Sequence, residues 1–182
     1  MIDWKYLTDA MSFYTALGYQ YVEVPWWVED DTHRLTCPND EMVVRSDLGA
    51  LVGSSEQSFL QMSRDGKIGP GRWMACTPCF RKDVEDDIHQ KTFMKVELFV
   101  NDHPSKETAR MVLLDAWAFF ETKTIKSVII NTGPNSWDIE INGIEVGSYG
   151  YRESDDLKWV YGTGVAEPRL SKALRLGRQD SN

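Results

Sequence analysis

An Asn-Gly dipeptide, Asn142-Gly143, stands between two apolar-alternating runs at 137–141 and 144–147 and sharply limits what this chain can fold into. The tightest hairpin turns need positive φ at both central residues, which Asn and Gly tolerate, so the two runs are expected to pair as antiparallel strands. A second pairing stands upstream. Residues 72–80 enter a strand, 84–91 are polar and mostly acidic, and 93–99 alternate with period two. Further strands are expected at 19–24, 41–45, 127–131 and 159–161, with Gly162-Thr163-Gly164 breaking the last and 26–40 forming a loop. Trp4, Leu7, Met11, Tyr14 and Leu17, spaced 3, 4, 3 and 3, share one helix face, and Gly18 is placed to cap that helix. Other helices are expected at 56–63, from the N-cap candidate Ser105 through Glu121, and from near Pro168. Helix, strands, helix, strands, helix with hairpin-length connections describes an α+β domain on a mainly antiparallel sheet flanked by helices.

At 182 residues, the span 1–182 is expected to form a single domain, with its tail disordered from about 178. With 42% hydrophobic against 26% charged residues, the chain is too apolar for disorder. A net charge of −8 argues against a dedicated nucleic-acid binder, though a local basic groove stays open. No run reaches the roughly 20 apolar residues a membrane helix needs. Met1-Ile2-Asp3-Trp4-Lys5 opens no signal peptide, so a cytoplasmic protein is expected. Three cysteines cannot all pair within the chain. Cys76-Thr77-Pro78-Cys79 has metal-knuckle spacing, with His33 and Cys37 as further candidate ligands. The alternative is that cysteines in a buried strand act as small hydrophobes.

Three separated segments carry residues with no packing purpose evident from sequence. The first holds Arg81, Asp83, His89, Phe93 and Glu97; an arginine at one strand end and an aromatic on its neighbour can hold a phosphate and a flat ring together. Phe93 and Glu97 are an even number of residues apart, so they share a strand face. The second runs from Trp137 to Arg152. Asp138 and Glu145 lie on its two arms, and paired carboxylates beside a triphosphate suit Mg2+, while Gly147, Ser148 and Gly150 allow close backbone approach. The third is Gly162 to Leu170, where glycines opening a helix can offer N–H groups to an anion and Arg169 adds charge. Taken singly, the first two also read as solvated charged hairpins.

Together, and in chain order, the segments resemble the motifs of class II aminoacyl-tRNA synthetases and their paralogues. Residues 18–25 with the preceding helix look like motif 1, the dimer-forming element. Phe80-Arg81-Lys82-Asp83, His89 and Phe93 to Glu97 look like motif 2, and Gly162 to Leu170 like motif 3. Ser54-Ser55-Glu56-Gln57 resembles the amino-acid-side turn upstream of motif 2. Asp138 to Arg152 is similar to the pattern of aspartyl-tRNA synthetase, and Gly147 to Arg152 followed by Gly162 to Leu170 also resembles the ammonia-dependent asparagine synthetase. Asp83 replaces the usual glutamate, and Pro168 precedes the motif 3 arginine.

The resemblance implies ATP-dependent activation of an amino acid, with Mg2+ as cofactor. By it, Arg81 holds the α-phosphate, Phe93 stacks on adenine and Arg169 takes the γ-phosphate. Asp83, His89 and Glu97 complete the ATP site, Glu97 contacting the adenine or the amino-acid region, and Asp138 and Glu145 hold the metal. Glu56, Gln57, Ser148 and Arg152 line the amino-acid pocket, Arg152 inclining the choice toward an acidic amino acid. A homodimer is implied. The length leaves no room for an anticodon-binding domain, so tRNA binding is not expected and the acceptor is left open. The alternatives are a synthetase-like binding or regulatory module without chemistry, and a stand-alone tRNA-acylating core.

Overall fold

The computed structural model describes residues 1–82, 86, 90–154 and 156–179, with the side chains of 178 and 179 excepted. The α+β reading holds. Among the described residues a seven-stranded sheet carries the fold: β1 (Gln20–Tyr21), β5 (Arg72–Phe80), β6 (Thr92–Val100), β7 (Ser127–Gly133), β8 (Ser136–Ile141), β9 (Ile144–Glu153) and β10 (Lys158–Glu167). Their spatial order is β1-β5-β6-β10-β9-β8-β7. Only the short β1–β5 pair is parallel. A separate three-stranded sheet joins β2 (Trp27–Val28), β4 (Gly49–Leu51) and β3 (Arg45–Ser46).

Alternation along the strands sorts side chains into two cores. On one face Met74, Val96, Leu98, Val100, Ile139 and Val160 pack against helices α1 (Trp4–Ala16), α4 (Lys106–Glu121) and α5 (Arg169–Gln179). On the other, Ala75, Phe99, Trp159 and Tyr161 meet Phe59, Leu60 and Met62 of α3 (Ser55–Arg64). Parity decides the sorting, because successive strand side chains point to opposite faces. The caps follow the sequence. Ser105 accepts the Thr108 N–H at 3.1 Å to open α4, and Gly18, at φ +87°, closes α1. Asn142 and Gly143 take φ of +51° and +75°, joining β8 to β9 as a two-residue turn.

Four local expectations are corrected. The strand placed at 19–24 is only the two-residue β1, since Val24 turns into the second core and Pro25 cannot extend a ladder. The loop at 26–40 contains β2 and a short helix α2 (Asp30–Arg34). The strand at 41–45 is a 3-10 turn over Asp40–Met42, followed by β3. The Gly162-Thr163-Gly164 run does not break its strand; β10 continues to Glu167 with a bulge between Thr163 and Val165. No helix among the described residues is long and apolar enough to cross a membrane.

That bulge has a clear physical reason. A Cβ on Gly162 would lie 2.7 Å from the Val112 side chain, and one on Gly164 would lie 2.8 Å from Tyr14. The glycines let α4 and α1 approach the sheet, so they serve packing rather than anion binding. Two buried tyrosines donate to carbonyls at the bulge: Tyr149 Oη to Thr163 O at 2.6 Å and Tyr14 Oη to Gly164 O at 2.9 Å. Burial pushes both phenols well above their ordinary range, so they remain donors. The extra residue changes the phase of β10. Thr163 faces the second side, Val165 enters the helix-side core, and Ala166 returns to the second side.

Candidate functional site

A cavity of about 360 Å3 opens on the sheet face away from α1 and α4. That volume lies in the range of small-molecule sites. Strand β6 supplies part of its wall, because Phe93, Lys95 and Glu97 are spaced by two and share that face. Arg81 stands just past β5, whose register pairs Cys79 with Phe93 and Phe80 with Thr92. The Arg81 N–H continues the ladder to Lys91 O at 2.9 Å. Its side chain donates Nε to Gly53 O at 3.1 Å and lies 5.2 Å from the centre of the Phe93 ring. Arginine and aromatic therefore meet, as their strand positions require.

Arg169 enters from the opposite end as the first residue of α5, with Nη1 3.2 Å from Glu145 Oε1. Buried Glu167 fixes that helix start. It accepts the Ser171 N–H at 3.0 Å, the Ser171 hydroxyl at 2.7 Å and the Asp3 N–H at 3.1 Å. Helix N-terminal donors that have no partner inside the helix thus find one in a side chain. Burial raises the Glu167 carboxyl, and these bonds oppose the rise.

The remaining wall is a set of paired charges. Ser54 opens α3 by accepting the Glu56 N–H at 3.2 Å and donates its hydroxyl to Glu97 at 2.6 Å. The Lys95 ammonium lies 2.8 Å from the same carboxylate. Glu56, 4% exposed, accepts from Arg152 Nη1 at 2.9 and 3.0 Å and from Trp159 Nε1 at 2.6 Å. The Arg152 guanidinium rests 4.1 Å over the Tyr161 ring. Burial pushes the Glu56 carboxyl up, while Arg152 and the Trp159 N–H pull it down. The expected lean toward an acidic amino acid rested on the Arg152 position; here that guanidinium is paired with Glu56.

The other sequence candidates divide between the cavity and its surroundings. Gln57 lines the cavity but uses its amide as a brace, accepting Gly53 N–H at 2.9 Å and donating to Thr36 Oγ1 at 3.0 Å. Ser148 lies opposite Asp138 in the β8–β9 register, and Glu145 pairs with Glu140. Glu145 and Ser148 line the cavity; Asp138 is not part of the lining. Its carboxyl is raised by burial, and the Ser148 hydroxyl lowers it in part. Asp83 and His89 lie outside the described residues. Among the described residues no three His, Cys, Asp or Glu side chains gather as a metal cluster.

Strand geometry separates the two cysteines of the knuckle spacing and favours the small-hydrophobe alternative. Cys76 packs on the helix-side core, whereas Cys79, three residues on along an extended strand, points to the other face. Burial raises both thiols to about 11, as expected of small hydrophobes in a sheet.

Sequence reasoning missed Lys95, Trp159, Tyr161 and Thr163 as parts of this site. Lys95 was within reach, since it sits between Phe93 and Glu97 with the same parity. Four cations (Arg81, Lys95, Arg152, Arg169) and three carboxylates (Glu56, Glu97, Glu145) line the cavity. Among the described residues the lining is therefore not acidic, although the chain carries −8.

No family profile matches the sequence. No curated protein matches it either. Solved structures do match in fold. The pyrrolysyl-tRNA synthetase PylSc of Desulfitobacterium hafniense superposes with TM-score 0.76 at 14% identity, over 95% of this chain and 68% of that one. A second structure of the D. hafniense pyrrolysyl enzyme gives 0.72 at 14% identity, over 96% and 69%. The seryl-tRNA synthetase of Pyrococcus horikoshii, solved with ATP, gives 0.74 at 22% identity over 91% of this chain. This chain spans 48% of that seryl enzyme's length. The fold is the class II aminoacyl-tRNA synthetase catalytic fold.

Proposed function

We propose that this protein activates an amino-acid carboxylate with ATP as an aminoacyl-adenylate and passes the acyl group to a non-tRNA or unknown acceptor. One observation carries the reading. Arg81 against Phe93 and Arg169 at the far end bound one cavity that also holds the Glu56–Arg152 pair. An aromatic face with an arginine beside it suits a purine and its α-phosphate, and a second arginine suits the far end of the triphosphate. A structure of the same fold was solved with ATP, which supports the choice of nucleotide.

In the proposed reaction a carboxylate oxygen attacks the α-phosphorus in line. The bond from that phosphorus to the bridging oxygen breaks, and pyrophosphate leaves with the electron pair. Arg81 stabilises the charge developing at the α-phosphate, and Arg169 holds the departing pyrophosphate; no side-chain nucleophile is needed. Glu145 lines the cavity, and hard oxygen donors supplemented by phosphate fit Mg2+, with Asp138 as the second candidate donor. When bound, Mg2+ supplies charge neutralisation at the phosphates. Arg169 leaves Glu145 for phosphate as the nucleotide binds. Ammonia, a small amine, a protein side chain, a carrier thiol and a modified nucleotide are the acceptor classes open to an adenylate. A homodimer through α1 and β1 belongs to this proposal, as does a cytoplasmic location.

Amino-acid-dependent exchange of labelled pyrophosphate into ATP tests the reading. Exchange with at least one of the twenty amino acids is expected. A folded protein with Mg2+ that exchanges with none overturns it.

A further inference from the structure

The charges at the amino-acid end of the cavity cancel in pairs, and this bears on which amino acid it takes. Arg152 is held by both oxygens of Glu56, and Lys95 by Glu97. The Glu97 pair is nearly out of water, with side chains 11% and 1% exposed. A substrate side-chain carboxylate entering here would meet two fixed carboxylates and no cation without a partner among these four groups. A side-chain ammonium would have to displace Lys95 or Arg152 from its carboxylate. Both cost the desolvation of a charge without a compensating pair.

The surrounding wall excludes the opposite class as well. Ser54, Ser148 and Thr163 make this wall polar, their hydroxyls bonded to Glu97, Asp138 and the Ser148 N–H, and the Tyr161 ring is covered by the Arg152 guanidinium. Apolar lining is concentrated elsewhere, at Met42, Phe80 and Phe93 beside Arg81 and at Ala166 beside Arg169. A large aliphatic or aromatic side chain would strip water from polar atoms and bury no matching apolar surface.

We infer that the substrate is a small, uncharged amino acid: glycine, alanine or serine. The inference rests on the adenylation reading and refines it. Specificity of this kind comes from rejecting competitors rather than from gripping the substrate side chain.

The test is pyrophosphate exchange by the full chain with ATP and Mg2+, offered glycine, alanine, serine, aspartate, glutamate, lysine, leucine and phenylalanine singly at equal concentration. Exchange with one of the first three should exceed that with each of the others by about tenfold or more. Fastest exchange with a charged or a large apolar amino acid overturns the inference and leaves adenylation standing. Exchange with none overturns the adenylation reading, and the inference with it. Glu97→Gln keeps shape and hydrogen bonding but leaves Lys95 without its counter-charge. The ratio of aspartate to glycine exchange should then rise about tenfold. An unchanged ratio in folded Glu97→Gln overturns the charge-pairing argument.

Discussion

Lys95 keeps a positive charge almost out of water because Glu97, two residues along the same strand face, lies 2.8 Å from its ammonium. Ser54 takes up one oxygen of that carboxylate, so the buried pair is supported from a second element. Arg81 stands in a different situation. It is half-buried at a strand end, and its guanidinium contacts a carbonyl and a ring rather than the core. Arg81→Ala should therefore lower amino-acid-dependent pyrophosphate exchange by about a hundredfold or more, the scale of one lost transition-state donor. Its urea midpoint should stay close to the parent's, because little apolar surface is lost. A variant that exchanges normally, or that unfolds, counts against Arg81 as the phosphate ligand.

At the scale of elements, strand parity was legible and strand continuity was not. Phe93 and Glu97 could be placed on one face by counting, because every second residue of an extended strand faces the same way. The Gly162-Thr163-Gly164 run was misread because its glycines answer to neighbours far away in sequence. Tyr14 and Val112 need the space above the strand, and that is a tertiary demand. Trp159 was likewise invisible as a ligand of Glu56, which lies 103 residues away.

The bulge makes its own prediction. Tyr14→Phe leaves the Gly164 carbonyl without its buried donor and should cost about 1–3 kcal/mol in urea unfolding. It should also raise KM for ATP, since Arg169 follows five residues along the same backbone. Glu167, which caps α5, makes stability depend on pH. Burial raises its folded pKa above the ordinary 4.5. A carboxyl raised on folding stabilises fully below the unfolded pKa, and that contribution is lost as pH rises through the folded value. Stability plotted against pH above about 4.5 should therefore fall more steeply in the parent than in Glu167→Gln. Parallel curves for the two would remove the assignment.

Over the whole molecule, the fold class and the arginine–aromatic pairing could be read from sequence, but the electrostatic character of the site could not. The net charge of −8 is a sum over the whole chain, while four cations gather at the cavity from β6, β9, α5 and the end of β5. Only the pairing of distant strands brings them together. The same scale bears on assembly. Trp4 is 59% exposed on α1, Tyr21 47% on β1, and Trp26 53% just beyond. Exposed aromatics of this size commonly mark a surface that another chain covers. Light scattering at micromolar concentration should give about twice the mass of one chain; a monomeric mass would remove the proposed dimer.

The bond from the Arg81 N–H to Lys91 O closes the ladder at the mouth of the segment between them. Together with the Cys79–Phe93 register, it makes the distance between the arginine and the ring a property of backbone pairing rather than of the intervening letters. A substitution on either strand that shifts this register would therefore move the arginine relative to the ring, whatever residues join the two strands.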